Sequence, residues 1–204
     1  MFSRVLSNLQ KLQRTCCGQV FMRMMNLCHE KHSRWVFSHL PSAMIQEPRV
    51  ALDVGCGGGH NIAHLLTMFP KARVFGADYS EASIERSGQY NRAAVKSGRL
   101  DLRVADVAHL PYADGTFNLV TAFDTIYFWP SGSFREIARV AASGATFVIG
   151  NELSRPKDGG SLARVVPMTI YTVEELREQL EEAGFCDVVT RRNGRWICVM
   201  ARKP

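Results

Sequence analysis

Several things are missing from this chain of 204 residues, and each absence removes a class of protein. No apolar run approaches the ~18 residues of a membrane-spanning helix, so no such helix is expected. The six cysteines (16, 17, 28, 56, 186 and 198) form no C-x-x-C pair and are too sparse for a disulfide scaffold. Reduced thiols and a cytoplasmic location are the expectation. His60 and His64 stand four apart, and Cys28, His29 and His32 cluster, but H-E-x-x-H is absent and no supported third ligand accompanies either group. No metal is therefore expected. Internal repeats and low-complexity tracts are also lacking. What remains is ordinary globular composition, 46% hydrophobic and 22% charged, enough for one domain with a sizeable core. The net charge of +6 suits either an anionic partner or a solvated basic surface.

The most informative stretch is Val50-Ala51-Leu52-Asp53-Val54-Gly55-Cys56-Gly57-Gly58-Gly59-His60. An apolar run ends in an acid, and glycines follow at alternate positions. Behind them Ile62, Leu65, Leu66 and Phe69 recur at helical spacing. Strand, glycine turn and helix start make a site where a ligand lies against bare backbone. A dinucleotide turn, G-x-G-x-x-G, would need glycine at position 60, where His60 stands. The D-x-G-x-G-x-G pattern instead places a carboxylate beside the turn, which suits a ligand carrying an ammonium group and repels a pyrophosphate.

Ahead of this strand, residues 1–19 form a basic amphipathic segment with Arg4, Lys11 and Arg14 beside Val5, Leu6, Leu9 and Leu12, and no acid occurs before Glu30. It reads as a targeting segment, a membrane-surface helix, or a helix packed on the domain. Met25, Cys28, His29, His32, Trp35 and Val36 lie on one helical stripe, so residues 1–49 are expected to form a helical cap and 50–204 the main domain. Residues 72–78 read as a second strand ending in Asp78, about 20 residues beyond the glycines, where Rossmann-like sheets hold ribose. Ser80 is an N-cap for a helix through about Lys96; Leu100–Val104 is a strand followed by Asp106; Leu119–Phe123 is a fourth strand with Asp124-Thr125-Ile126-Tyr127 at its exit. A helix over Phe134–Val140 leads through Ser143-Gly144 to a strand at Ala145–Ile149. Residues 151–168 read as a loop, Thr172-x-x-Glu175 as a capping box, and Cys186–Thr190 with Trp196–Ala201 as a hairpin across Asn193-Gly194. The sum is a mostly parallel, seven-stranded Rossmann-like α/β sheet with a C-terminal antiparallel hairpin strand and an N-terminal helical cap.

With Asp53, Asp78 and Asp106 at successive strand ends behind the glycine turn, the chain from Val50 onward resembles the class I S-adenosylmethionine-dependent methyltransferases of small-molecule type. The resemblance implies S-adenosyl-L-methionine as cofactor. It assigns Asp53, Gly55, Gly57 and Gly59 to the turn, Asp78 to ribose and Asp106 to the adenine amino group, with Tyr79 and Val107 flanking the adenine ring. Residues 105–120 resemble the corresponding stretch of small-molecule and quinone methyltransferases, although Asn118 stands where the family usually has aspartate.

In-line transfer from an activated sulfonium asks mainly for alignment and exclusion of water, with a base only where the nucleophile must lose a proton. His29, His32, Tyr127 and Glu152 are candidates, and His29 and Tyr127 are the two assigned to orient the acceptor or assist proton loss. A small-molecule acceptor is expected. The strand-four exit lacks the Asn/Asp-Pro-Pro-aromatic signature of base-amino methyltransferases, so no nucleic-acid partner is expected; peripheral membrane contact through the basic N-terminus is one reading of that segment. The alternatives are methylation of RNA or protein, and a non-enzymatic cofactor-binding partner.

Overall fold

The computed structural model describes residues 30–40, 48–152 and 168–204. Most of the expected N-terminal cap, including His29, and most of the expected loop at 151–168 lie outside these residues. Seven strands form one sheet: β1 (Val50–Val54), β2 (Arg73–Asp78), β3 (Leu100–Val104), β4 (Phe117–Phe123), β5 (Ala141–Glu152), β6 (Cys186–Asn193) and β7 (Trp196–Arg202). Their spatial order is β3-β2-β1-β4-β5-β7-β6. The β1, β2, β3, β4 and β5 pairings are parallel, and β7 runs antiparallel to both β5 and β6. This is the mostly parallel Rossmann-like sheet with an antiparallel hairpin member that the sequence predicts.

The helices are α1 (residues 30–38), α2 (His60–Met68), α3 (Glu81–Tyr90), α4 (Arg92–Lys96), α5 (Ser133–Val140) and α6 (Val173–Glu182). Strand alternation divides the core in two. Ala51, Val74, Leu119, Val148 and Met200 pack with Val36 and Phe37 of α1 and Ile62 and Leu65 of α2. Leu52, Val120 and Phe147 pack on the other face with Phe134 and Ile137 of α5 and Leu176 and Leu180 of α6. Burial on both faces explains why β1 and β4 read as near-continuous apolar runs. Helix α1 sits directly on the sheet: a Cβ on Gly150 of β5 would come within 3.0 Å of Val36 and 2.6 Å of Phe123.

Among the boundaries that differ from the sequence-based expectation, three have an identifiable structural reason. The helix expected from Ser80 to about Lys96 breaks at Asn91, whose amide donates to the Ser87 carbonyl at 3.1 Å and the Gly59 carbonyl at 2.9 Å. Such side-chain bonds compete with the helical ladder. Strand β5 starts at Ala141 rather than Ala145, because Ala141 already pairs with Phe117 before a register shift. The hairpin turns on Gly194-Arg195, not Asn193-Gly194, since Asn193 pairs with Trp196. Glycine at the first central position is the II′ preference. Thr172 does form its capping box, with Glu175 N–H donating to Oγ1 at 3.1 Å and Thr172 N–H donating to Oε2 at 2.8 Å.

Because Phe37 is buried against Phe123 with ring centroids 5.0 Å apart, α1 is part of the core rather than an appendage. Phe37→Ala is expected to cost about 3–5 kcal/mol in a chemical denaturation series, the usual loss for a buried phenylalanine. A change below 1 kcal/mol would mean that the helix is held elsewhere.

Candidate functional site

The carboxyl ends of β1, β2 and β4 meet at one edge of the sheet, the usual ligand crevice of open α/β folds. Register sets which side chains share a face. Asp53 pairs with Gly76 and Thr121, two residues on from Ala51, so Asp53 and Thr121 lie on the face covered by α1 and α2. Asp78, two residues beyond Gly76, belongs to the same face.

Asp53 is 1% exposed, and its Oδ1 accepts a hydrogen bond from the Thr121 hydroxyl at 2.7 Å. Its Oδ2 is buried without a partner among the described residues. Burial pushes this carboxyl up to about 7; the Thr121 hydrogen bond works against that rise and the charge of Asp78 adds to it. An orphaned carboxylate oxygen that desolvation has made reluctant to ionise marks a place where a cationic group would be welcome.

The glycine turn runs from that acid to α2. Gly55, with φ +71, donates its N–H to the Ala77 carbonyl at 2.7 Å, and a Cβ there would sit 2.2 Å from the Thr125 hydroxyl. Position 55 therefore admits neither an ordinary φ nor a side chain. Gly57, with φ +51, differs: a Cβ there would meet nothing within 4 Å. It faces open space, where a ligand can lie against bare backbone. Gly59 heads α2, and its carbonyl is held by Asn91.

Asp78 ends β2. Its Oδ2 accepts the Gly57 N–H at 2.8 Å and its Oδ1 the Ser80 N–H at 2.8 Å. Burial raises its pKa, and the two backbone donors, with the Ser83 side chain, oppose that rise. Tyr79, next in sequence, is 38% exposed. The Ala105 N–H donates to the Asp78 carbonyl at 2.9 Å, which keeps the ends of β2 and β3 together. Asp106 is exposed and accepts the Ala108 N–H at 2.9 Å, closing its own turn, while Val107 is half-buried against the α5 and α6 face of the core. The structure thus brings Asp53, Gly55, Gly57, Gly59 and Asp78 into one cradle and sets Tyr79, Asp106 and Val107 along its β3 side.

Of the two residues assigned to chemistry, His29 lies outside the described residues. Tyr127 sits in a 3₁₀ turn, Ile126–Phe128, just past β4. Its hydroxyl donates to the Glu152 carbonyl, and burial raises the phenol pKa well above its ordinary value. A proton so committed makes Tyr127 a poor base and a good brace between the β4 exit and the end of β5. Sequence reasoning did not single out Asp124. Its φ is +49, its Oδ1 accepts the Glu152 N–H at 2.9 Å, and its Oδ2 lies 3.1 Å from His32 Nδ1. Only its place at the exit of β4 could have hinted at this role. No group of three or more His, Cys, Asp or Glu side chains converges as a metal site among the described residues.

A β3-β2-β1-β4-β5-β7-β6 sheet with a glycine turn and acids at its carboxyl ends defines the class I S-adenosylmethionine-dependent methyltransferases. Residues 52–149 match the family described as a methyltransferase domain, and this stretch, which holds the glycine turn and the strand-end acids, is a methyltransferase domain of that class. It is 29% identical over 143 residues to the 27-O-demethylrifamycin SV methyltransferase of Amycolatopsis mediterranei, covering 65% of this chain and 52% of that one. It is 38% identical over 99 residues to the malonyl-[acyl-carrier protein] O-methyltransferase of Legionella pneumophila, covering 46% of this chain and 32% of the relative. The chain thus spans about half the length, or less, of these relatives. Among solved structures, the methyltransferase in complex with the Haloferax volcanii Trm112 activator superposes with a TM-score of 0.76 at 18% identity, covering 90% of this chain and 92% of that one. Human N-acetylserotonin methyltransferase in complex with SAM gives 0.69 at 17% identity, covering 90% and 55%. At these identities the superpositions speak for the fold.

The Asp53 environment makes a prediction about the ligand-free protein. A carboxyl whose folded pKa exceeds its unfolded value binds more protons in the folded state, so it lowers stability as pH rises from about 4 to about 7. Asp53→Asn removes that loss. The variant should melt above the parent at pH 8, by a margin on the order of a few kcal/mol, and the gap should close near pH 4. A pH-independent gap would mean that Asp53 is not buried as a titrating acid.

Proposed function

We propose that the chain binds S-adenosylmethionine across the carboxyl ends of β1, β2 and β3 and methylates a small, fairly apolar acceptor. The observation that carries this reading is the pairing of open space at Gly57 with an Asp78 carboxylate held by the Gly57 and Ser80 N–H groups. The bound cofactor supplies an already activated methyl group. The chain's own residues have the simpler tasks of holding, aligning and drying the site.

Asp78 accepts one backbone N–H on each oxygen and a hydrogen bond from the Ser83 side chain, and the lone pairs that remain suit ribose hydroxyl donors. Asp53, buried and short of a partner at Oδ2, suits an ammonium group near the turn. Asp106, Tyr79 and Val107 are assigned to the adenine end. Tyr127 orients the acceptor side through its tie to Glu152, and His29 is assigned an assisting role there. The rifamycin-type relative and the human N-acetylserotonin enzyme are named for small-molecule acceptors, which supports the same class here. The sparse cysteines of the sequence, which form no C-x-x-C pair, support a reducing, cytoplasmic setting.

Calorimetry with S-adenosylmethionine, S-adenosylhomocysteine and NAD is the test. Saturable heat with the two sulfur ligands and none with NAD is expected. Asp78→Ala should weaken both sulfur ligands more than tenfold, because hydrogen bonds to a charged acceptor are worth about 1.5–3 kcal/mol each. Unchanged affinity in a folded variant would move the ribose acid elsewhere, and saturation with NAD would replace the cofactor. His29→Ala should lower turnover by roughly two orders of magnitude if the residue is a base and several-fold if it only positions, with cofactor affinity unmoved.

A further inference from the structure

The residue at the acceptor side with the most complete arrangement is His32. We propose that His32, oriented by Asp124, is the general base of this protein, and that its acceptor is an acidic hydroxyl, a phenol or enol, so that the transfer is an O-methylation. The proposal rests on the methyltransferase reading above.

His32 lies on α1 and is 2% exposed. Its ring stacks on Trp196, at the start of β7, with centroids 5.5 Å apart, and on Trp35 at 6.4 Å. Trp196 pairs with Glu152, so this cluster stands at the carboxyl end of β5. Nδ1 lies 3.1 Å from Asp124 Oδ2. Facing an acceptor-only carboxylate, Nδ1 is the nitrogen that carries the proton of the neutral ring, and in that tautomer Nε2 has a bare lone pair. Nε2 is buried and has no hydrogen-bond partner among the described residues. A histidine that merely packs satisfies both nitrogens or leaves one in water; here one nitrogen is fixed and the other waits for a donor.

The fixing is deliberate in its geometry. Asp124 occupies a left-handed conformation that non-glycine residues rarely adopt, and the Glu152 N–H holds its other oxygen at 2.9 Å. The next residue, Thr125, abuts Gly55 so closely that no Cβ fits between them. The dyad is therefore one residue removed from the wall of the glycine turn.

The step balances without another reagent. The hydroxyl proton passes to Nε2, the oxygen electron pair forms the new O–C bond, and the C–S bond breaks with its pair left on sulfur. Asp124 compensates the imidazolium until the proton leaves to water. A hydroxyl needs such a base because its neutral form is a weak nucleophile.

The probe is 4-nitrophenol, whose phenolate absorbs in the visible, added to the full chain saturated with S-adenosylhomocysteine at a pH where the free probe is mostly protonated. The expected result is a phenolate band that titrates with protein. His32→Gln should lose that band while the S-adenosylhomocysteine affinity, measured by calorimetry, stays within about twofold. Asp124→Asn, which keeps an acceptor for the Glu152 N–H, should lose most of it and guards against a folding defect in the first variant. Long-range nitrogen–proton NMR of the parent should show His32 protonated at Nδ1 and bare at Nε2. Normal S-adenosylhomocysteine binding with no phenolate band, a band undiminished in both variants, or a proton on Nε2 would each overturn the dyad. Absence of S-adenosylhomocysteine binding would instead remove the cofactor reading on which it stands.

Discussion

The site depends on one carboxylate shared by two turns. Asp78 receives the Gly57 N–H from the β1–α2 turn and the Ser80 N–H from the start of α3. Backbone donors cannot rotate away, so the acid fixes the spacing between the ends of β1 and β2 as firmly as the ladder does further down. The same bonds hold the carboxylate in one orientation, and they offset part of the penalty that burial places on its charge. Asn91 extends this arrangement from behind: its amide reaches the Gly59 carbonyl, so α3 braces the far end of the glycine turn.

The acids at neighbouring strand ends behave differently because their surroundings differ. Asp78 has two backbone donors; Asp53 has one hydroxyl and an orphan oxygen; Asp106 is exposed and closes its own turn; Asp124 bridges a histidine and the end of β5. A carboxylate after a parallel strand therefore has no fixed role. Burial and the partners that neighbouring strands bring decide it, which is why four aspartates on one sheet edge can divide between bridging two turns, closing a turn and pairing with a ring.

Much of this was legible in the chain itself. The apolar runs at 50–54 and 119–123, the glycines at alternate positions and the acids at 53, 78 and 106 carry the fold and the cradle, because they reflect short-range rules: burial on both faces of a parallel strand, and positive φ in a tight turn. The helix break at Asn91 was not legible, since it goes with a side-chain amide that reaches a carbonyl 32 residues away while the Asn91 N–H stays bonded to Ser87. Nor was the pairing of His32 with Asp124, separated by 92 residues. His32 was visible as a histidine on an apolar stripe, but a stripe does not say which strand end it meets. Tyr127 was placed correctly at the β4 exit, yet its hydroxyl is spent on a backbone carbonyl, a bond with no sequence signature.

The strand order bears on how the chain acquires its shape. Strand β7 follows β6 in sequence but lies between β5 and β6 in space, and Ile197 through Ala201 are all buried. Strands β1 to β5 can pair as soon as they exist, whereas β6 has no place on the sheet until β7 has docked on β5. During synthesis on a ribosome, the exposed edge of β5 must wait for the residues made after it, and for that interval it is the stretch most open to mispairing with another chain. A chaperone acting on the nascent protein would have most to do at that edge.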